Sequence, residues 1–266
     1  MALIEMTFAS DTLQRWTEVT VILPVEKAGN PTAVKPELFS SLYLLHGYSG
    51  NTKDWLTYSN IRLLAEQYDL AVIMPSGENG FYVDNEAGEL KNGQFIKELV
   101  EYTRKIFPLS SDRTKTFIGG LSMGGFGALR NGMKYSELFG KIFSLSGAFI
   151  VEDIAGKETG YRDAIASYGY YSRVFGDLNT IKDSENNPLV CTKQALKKGI
   201  VPEVFMACGT EDFLCNNNRQ MKNALQQIGL MPLYYEDTGI HDWIFWNNWL
   251  PKAVEWLLEN ERQDTK

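Results

Sequence analysis

Cysteine and histidine are both scarce in this sequence, which has three Cys and two His among its 266 residues. Cys191, Cys208 and Cys215 are odd in number and form no CxxC pair, which argues against a disulfide framework and against a zinc site. His46 and His241 lie far apart, and neither belongs to an HxH or HExxH pattern. We therefore expect no metal site in this protein.

Clustered positive charge and long apolar runs are missing as well. The formal net charge is -7 at pH 7, which disfavours a nucleic-acid partner because phosphate binding needs clustered Lys and Arg. No apolar run approaches the roughly 18 residues of a transmembrane helix, so we expect no membrane partner. The opening segment MALIEMTFASDTLQRW lacks the basic and then apolar pattern of a signal peptide. A cytoplasmic location is the resulting expectation.

The remaining composition is that of an ordinary globular protein, with 44% hydrophobic and 22% charged residues. A chain of this length suits one large α/β domain, which we place at residues 1–266. Strand and helix patterns alternate along most of it, and this alternation predicts a mostly parallel central sheet with helices on both faces. The first forty or so residues instead favour antiparallel strands, with a strand over 16–25 and a turn over 27–33.

Beyond that region the pattern can be divided into elements. We predict strands over 41–47, 69–77, 116–119, 141–149, 201–209 and 232–239, and helices over 60–69, 92–107, 123–135, 216–229 and 242–260. Residues 150–200 break the rhythm with a segment rich in tyrosine, glycine and acidic residues, followed by the polar stretch NTIKDSENNPL. We interpret this segment as an insertion over the sheet edge and not as a separate domain.

The segment Gly120-Leu121-Ser122-Met123-Gly124 follows an apolar strand and precedes a helix. This is the context of a nucleophile elbow, the turn that exposes the serine of enzymes with the α/β-hydrolase fold. Gly120 and Gly124 allow strand and helix to approach closely at this turn. The bare GxSxG pattern is common, but its position between a strand and a helix makes Ser122 a strong candidate nucleophile.

A serine hydroxyl needs an adjacent base, and in this fold the order along the chain is Ser, acid, His. Only His241 follows Ser122, so it is the candidate base. Asp212, at the end of the strand VFMACG, is the candidate acid that would orient it. Glu211 is the neighbouring rival, and Asp237 and Asp242 are weaker alternatives.

The segment His46-Gly47-Tyr48-Ser49-Gly50 follows the strand LYLL. In the α/β-hydrolase fold, this loop donates one N–H of the oxyanion hole, and the residue after the nucleophile donates the other. We therefore assign the oxyanion hole to the backbone N–H groups of Tyr48 and Met123. His46 is interpreted as a residue that shapes the loop.

Aromatic residues near these loops are candidates for the substrate pocket. Trp55, in the loop after the oxyanion strand, and Trp243, just after His241, are the substrate-binding candidates. Further candidates, each of which could equally fill the core, are Tyr82, Tyr168, Tyr170 and Tyr171. Trp246, Trp249 and Trp256 on the last helix are assigned to the core or to an interface.

Taken together, several blocks resemble the bacterial tributyrin or acetyl esterases of the esterase D group. The blocks are LLHGYSGNTKDWL, VIMPSGENGFYVD, RKIFPLSSDRTKTFIGGLSMGGFGALR, FSLSGA, CGTEDFL and GIHDWIFW, and the resemblance runs from about residue 5 to 260. The wider group includes S-formylglutathione hydrolases, feruloyl and acetylxylan esterases, and mycolyltransferases. The oxyanion loop lacks the cysteine found in many S-formylglutathione hydrolases, which argues against that activity.

The resemblance implies a serine carboxylesterase that hydrolyses short-chain acyl esters, uses no cofactor and often forms homo-oligomers. It assigns the triad to Ser122, Asp212 and His241, in agreement with the residue patterns. One alternative is an acetylxylan or feruloyl esterase that acts on acylated oligosaccharides. Another, of a different class, is a catalytically silent hydrolase scaffold used for binding.

Overall fold

A mixed β-sheet forms the centre of the molecule, which is a computed structural model that describes residues 1–25 and 36–259. The strands are β1 (Ala2–Ser10), β2 (Arg15–Leu23), β3 (Ser40–Leu45), β4 (Leu70–Pro75), β5 (Asp84–Asn85), β6 (Leu90–Lys91), β7 (Thr116–Leu121), β8 (Lys141–Leu145), β9 (Glu203–Gly209) and β10 (Leu233–Asp237). In the described ranges the main sheet has the order β1-β2-β4-β3-β7-β8-β9-β10, while β5 and β6 form a separate hairpin.

Helices connect most of these strands. They are α1 (Asp54–Tyr58), α2 (Ile61–Gln67), α3 (Asn92–Ile106), α4 (Met123–Lys134), α5 (Val151–Ile154), α6 (Tyr168–Phe175), α7 (Pro188–Lys198), α8 (Cys215–Gln227) and α9 (Trp243–Leu257). Local sequence explains several of their ends. For example, the Asn187 side chain caps α7 at its start, and Gly199, with φ +70°, ends it. Across the described ranges, no helix combines the length and the apolar character needed to cross a bilayer.

The strands from β4 through β10 in the sheet order run parallel to one another. Those from β4 to β9 in this order are buried on both sides because helices cover both faces, whereas the edge strand β10 is mostly exposed. In β3, Leu42 and Leu44 pack with residues of α2 and α9, whereas Tyr43 and Leu45 pack with residues of α3 and α4. The predicted mostly parallel sheet with helices on both faces is therefore confirmed.

The N-terminal region is antiparallel, as the sequence predicted. β1 pairs with β2 from Ala2 opposite Leu23 to Ser10 opposite Arg15, and β2 then pairs antiparallel with β4. This hairpin completes the sheet on the side away from β10. The turn predicted over 27–33 lies outside the described residues.

The segment 150–200 contains α5, α6 and α7, none of which the sequence pattern identified. The segment joins β8 to β9, which are neighbours inside the sheet, and its position over an edge of the sheet stays a prediction. Its last helix, α7, packs against α4, the helix that follows Ser122. The segment therefore lies close to the predicted nucleophile.

A buried arginine ties this segment to the rest of the molecule. Arg130 of α4 is fully buried, and its guanidinium donates to the carbonyl of Glu185 at 2.9 Å and to Asp84 Oδ2 at 3.0 Å. Asp84 Oδ1 in turn accepts from the N–H groups of Gly93 and Gln94 at the start of α3. The Arg130–Asp84 ion pair and the hydrogen bonds of its two side chains thus connect α4 with the β5–β6 hairpin, the start of α3 and the 150–200 segment.

Candidate active site

Ser122 occupies a sharp turn between β7 and α4. Its φ of 52° and ψ of -119° are values that residues with a side chain rarely adopt. The turn is held by backbone hydrogen bonds, since Ser122 N–H donates to Leu145 O at 2.9 Å and Ser122 O accepts from Ala148 N–H at 2.9 Å. The strained serine predicted for a nucleophile elbow is present at this position.

Close packing explains the glycines around Ser122. A Cβ on Gly124 would lie 2.3 Å from the carbonyl oxygen of Leu45, and a Cβ on Gly120 would lie 2.5 Å from the carbonyl carbon of Gly124. Both obstacles are backbone atoms, which cannot move aside as a flexible side chain can. Glycine at these positions therefore lets α4 begin directly against β3 and β7.

His241 and Asp212 meet at the carboxyl ends of β9 and β10. Nδ1 of His241 lies 2.8 Å from Oδ2 of Asp212, whose other oxygen accepts from the Leu214 N–H at 2.8 Å. The Asp212 side chain is fully buried, whereas His241 keeps 17% of its side chain exposed. If Nδ1 carries the proton that it shares with Asp212, then Nε2 is left free to act as a base.

The environment keeps Asp212 ionised. Burial works to raise the pKa of this carboxyl, but the hydrogen bond and charge of His241 and the N–H of Leu214 outweigh it, so the pKa lies below its usual range. An ionised carboxylate at this position can stabilise a positively charged imidazole.

The rival acids are engaged elsewhere. The carboxylate of Glu211 accepts from the backbone N–H of Gly239, and that of Asp237 accepts from its neighbour Thr238. Asp242 caps the start of α9 by accepting from the N–H of Phe245. Of the four candidates, Asp212 is the one that contacts the His241 ring.

The loop after β3 is shaped by His46, as the sequence suggested. His46 is buried; its Nδ1 lies 2.7 Å from Gly47 O, and its Nε2 accepts from the N–H of Gly77 at 2.9 Å. Burial lowers the pKa of His46 and so favours the neutral ring. Within the described ranges, neither the N–H of Tyr48 nor that of Met123 has a hydrogen-bond acceptor in the protein.

These loops open into one cavity of about 630 Å³. It is lined by the candidate residues Tyr48, Ser122, Met123, His241 and Trp243, which come from three segments: the loop after β3, the turn between β7 and α4, and the loop that leads into α9. The remaining lining residues are Gly47, Ser49, Gly50, Asn51, Asp54, Tyr58, Phe81, Leu121, Ala148, Ile150, Ile165, Tyr171, Phe213, Leu214 and Trp246. The structure thus brings the predicted nucleophile, base and oxyanion loop to a single space large enough for a small ester.

One tryptophan assignment is wrong and another is incomplete. Trp55 does not line the cavity: it is 1% exposed, donates from Nε1 to Leu45 O, and packs edge-on against Trp243. Trp246 belongs to the apolar core, as the sequence predicted, but it also lines the cavity, and its ring stands edge-on to His241. Sequence spacing could have placed Trp243 and Trp246 on one face of α9, since they lie three residues apart.

Of the four tyrosine candidates, one lines the cavity and three do not. Tyr171 lines the cavity, whereas Tyr82 is fully buried and donates to His46 O, which makes it a support for the oxyanion loop. Tyr170 packs against Tyr48 and donates to Asn79 O, so it lies behind the wall of the cavity, and Tyr168 packs against the core. Phe213 and Ile165 are lining residues that the sequence analysis missed.

Among the described residues, no group of three or more His, Cys, Asp or Glu side chains is arranged to hold a metal ion.

Comparisons with known proteins agree with one another. A family model described as "Putative esterase" matches residues 10–257. The chain is 48% identical over 262 residues to an acetyl esterase of Caldicellulosiruptor saccharolyticus, covering 97% of this chain and 98% of that protein.

Two solved structures from Staphylococcus aureus are similar over 97% of this chain and 98% of theirs. One is the fluorophosphonate-binding serine hydrolase FphF, with a TM-score of 0.83 and 28% identity, and the other is the S-formylglutathione hydrolase FrmB, with a TM-score of 0.81 and 29% identity. The fold is accordingly the α/β-hydrolase fold that the sequence predicted.

Proposed function

The chain belongs to this esterase family and is a carboxylic ester hydrolase, and on that premise we propose that it cleaves short-chain acyl esters through an acyl-enzyme on Ser122. His241 is the proposed general base and Asp212 the residue that orients it. The observation that carries the proposal is the 2.8 Å contact between His241 Nδ1 and Asp212 Oδ2, beside a cavity that Ser122 and His241 both line. A silent binding scaffold, by contrast, has no feature in its favour.

In the first half of the reaction, Ser122 Oγ attacks the ester carbonyl carbon while Nε2 of His241 takes the hydroxyl proton. Asp212, ionised by its surroundings, stabilises the positive charge that then forms on the imidazole. His241 returns the proton to the leaving alcohol, and the acyl group stays on Ser122. In the second half, His241 removes a proton from water, which attacks the acyl-enzyme; His241 then gives that proton to Ser122 Oγ as the bond to the acyl group breaks and the acid leaves.

The negative oxygen of each tetrahedral intermediate needs hydrogen-bond donors. We assign this role to the backbone N–H groups of Tyr48 and Met123, which have no acceptor among the described residues. Two such donors fixed in place favour the transition state, and removal of one typically costs on the order of 100-fold or more in rate. Because only the backbone of Tyr48 is involved, replacement of its side chain should leave most of the activity.

The acyl preference is proposed from the cavity and from the similar acetyl esterase. Apolar side chains such as Phe81, Ile150 and Ile165 form much of the wall of this cavity. One extra methylene in such a pocket changes discrimination by only about 1–3 kcal/mol. We therefore expect a range of short acyl groups, with acetyl and butyryl esters both accepted.

Kinetics on p-nitrophenyl acetate and p-nitrophenyl butyrate test this proposal. Ser122→Ala should abolish turnover of both esters and leave the protein folded, as checked by far-UV circular dichroism and thermal unfolding. Ser49→Ala, on an exposed lining residue, serves as the control and should keep near-normal kcat. If Ser122→Ala and the wild-type protein turn over equally, Ser122 is not the nucleophile.

A second candidate substrate is an acetylated oligosaccharide. The observation that favours it is Asp54, a carboxylate that lines the cavity. Such a group can accept hydrogen bonds from the hydroxyls of a sugar. Comparison of acetate release from acetylated xylo-oligosaccharides and from simple aryl esters distinguishes the two substrates.

The partners and the location of the protein are also proposals. We propose a small-molecule ester as the partner, homo-oligomers as the assembly, no nucleic-acid or membrane partner, and a cytoplasmic location. Size-exclusion chromatography with light scattering measures the assembly, and cell fractionation measures the location.

A further inference from the structure

Phe213 is an aromatic side chain that stays largely in solvent at the cavity. It follows Asp212 directly and is 63% exposed, more than any other large apolar residue of the lining. Removal of apolar surface from water is the main contribution of such a ring to stability. Because most of this ring is still exposed in the folded protein, its apolar surface is available to a molecule that binds in the cavity.

The backbone around Phe213 is held in place. Its neighbours Asp212 and Leu214 are both buried, and Asp212 Oδ1 accepts from the Leu214 N–H at 2.8 Å. The N–H of Asp212 donates to Gly209 O at 3.2 Å, and the N–H of Cys215 donates to Asp212 O at 2.9 Å. An aromatic side chain on a fixed turn loses little conformational freedom when a ligand packs against it.

The Phe213 ring also contacts the proposed base. Its centroid lies 4.6 Å from that of the His241 imidazole, with 49° between the two planes. Among the described residues, Trp246 is the other aromatic side chain in contact with this imidazole, but it is 6% exposed and belongs to the core. Of the two rings, Phe213 therefore offers the larger free surface beside the base.

The position of the leaving alcohol follows from the proposed reaction. His241 Nε2 gives a proton to the alcohol oxygen, so this oxygen must lie within hydrogen-bond distance of the imidazole, about 3 Å. The carbonyl oxygen points instead to the N–H groups of Tyr48 and Met123. The group attached to the alcohol oxygen thus leaves the reacting carbon beside His241, where Phe213 lines the cavity.

We propose that Phe213 is a specificity-determining residue for the alcohol part of the substrate, and that the enzyme prefers esters whose alcohol carries an aromatic ring. Such a ring can pack against Phe213 edge-on or in an offset stack, as aromatic pairs do. This inference rests on the proposed acyl-enzyme reaction and extends it to the class of alcohol. It assigns Phe213 no part in proton transfer.

Three esters test the proposal: ethyl acetate, benzyl acetate and ethyl phenylacetate. Benzyl acetate carries an aromatic ring on the alcohol, whereas ethyl phenylacetate carries it on the acyl group. Titration of the released acid gives kcat/KM for each ester. The wild-type protein should have a higher kcat/KM for benzyl acetate than for ethyl acetate. Phe213→Ala should lower the value for benzyl acetate roughly 3- to 10-fold, as loss of an aromatic pair implies, and change the other two by less than about 2-fold.

Two further variants are the controls. Phe213→Tyr keeps the aromatic ring and should stay within about 2-fold of wild type for all three esters. Ile244→Ala removes an exposed apolar side chain that follows Trp243 but does not line the cavity, and it should leave all three values unchanged. Because Phe213 is exposed, Phe213→Ala should also unfold at nearly the wild-type temperature.

The inference is overturned if Phe213→Ala keeps the wild-type kcat/KM for benzyl acetate, or if wild type does not prefer benzyl acetate to ethyl acetate. Equal losses for all three esters would also overturn it, because the ring would then act through His241. So would a largest loss for ethyl phenylacetate, because the ring would then contact the acyl group.

Ser122→Ala is measured in parallel with the same esters. If Ser122→Ala remains active, the proposed function fails. If Ser122→Ala is inactive while Phe213→Ala has the wild-type preference among the esters, only the role of Phe213 fails.

Discussion

Asp212 and His241 are 29 residues apart in the chain, yet their Oδ2 and Nδ1 atoms lie 2.8 Å from each other. The parallel pairing of β9 with β10 brings their loops together, since both loops leave from the same end of the sheet. The two loops are also in backbone contact, because Glu211 N–H donates to Gly239 O at 3.0 Å and a Cβ on Gly209 would lie 2.2 Å from that oxygen. Backbone packing therefore sets the acid–base distance.

Asp212→Asn should lower kcat for aryl acetates roughly 10³- to 10⁴-fold, because an amide can hold His241 in the wrong tautomer and cannot stabilise its positive charge. Steady-state kinetics at neutral pH measures the change. Glu211→Gln is the control, since Gln keeps an acceptor for the Gly239 N–H, and it should stay within a few-fold of wild type. An equal loss of kcat in both variants would mean that the conformation of the loop, and not the carboxylate of Asp212, is required for catalysis.

Gly124→Ala should disrupt the turn at Ser122. The added Cβ would lie 2.3 Å from Leu45 O, so the oxyanion loop and α4 must separate, and we expect both lower stability and loss of activity. Thermal unfolding and ester hydrolysis report the two effects. Gly169→Ala in α6 is the control: its Cβ would meet nothing nearer than 3.8 Å, and it should stabilise by up to about 1 kcal/mol.

Asp84→Asn should destabilise the protein by about 3–5 kcal/mol at pH 7, because it leaves the buried guanidinium of Arg130 without its charge partner. Burial acts to raise the pKa of Asp84, but Arg130, Lys134 and the Gln94 N–H together lower it below its usual range. A lowered folded pKa stabilises the protein above the unfolded value of about 4, and this contribution is lost as the pH falls through the folded value.

Urea unfolding at several pH values measures this effect. The difference between wild type and Asp84→Asn should shrink below about pH 4, as Asp84 becomes protonated. Glu101→Gln is the control, since its 3.8 Å pair with Lys97 is exposed, and it should change stability by less than about 1 kcal/mol at any pH. A pH-independent difference for Asp84→Asn would contradict the assigned ion pair.

Asp54→Asn should change substrate charge preference. The carboxylate lines the cavity, so it repels esters that carry a negative charge, whereas a neutral aryl ester without hydroxyl groups is little affected. Its removal should raise kcat/KM for an anionic aryl ester several-fold, as about 1 kcal/mol of repulsion implies, while p-nitrophenyl acetate changes little. An unchanged ratio of the two kcat/KM values would show that the charge of Asp54 has no effect on substrate preference.

The sequence indicated Ser122, Asp212 and His241 because each follows a recognisable strand, and the carboxyl ends of parallel strands meet at one edge of the sheet. It could not place Trp55 and Trp246, because several tryptophans occur on or near α9 and only tertiary packing decides which ring faces the cavity. It also missed three helices between β8 and β9. α5 has only 4 residues, α6 contains a glycine and three tyrosines, and the buried face of α7 carries Pro188, Cys191, Thr192 and Ala195 in place of large apolar side chains.

The most direct test of the central claim, that Ser122 is the nucleophile, is to locate the site of covalent labelling by a fluorophosphonate probe. The labelled protein is digested and the modified residue is identified by tandem mass spectrometry. We expect one modification, on Ser122, together with loss of labelling in Ser122→Ala and strongly slowed labelling in Asp212→Asn. A modification on another serine, or equal labelling of Ser122→Ala, would contradict it.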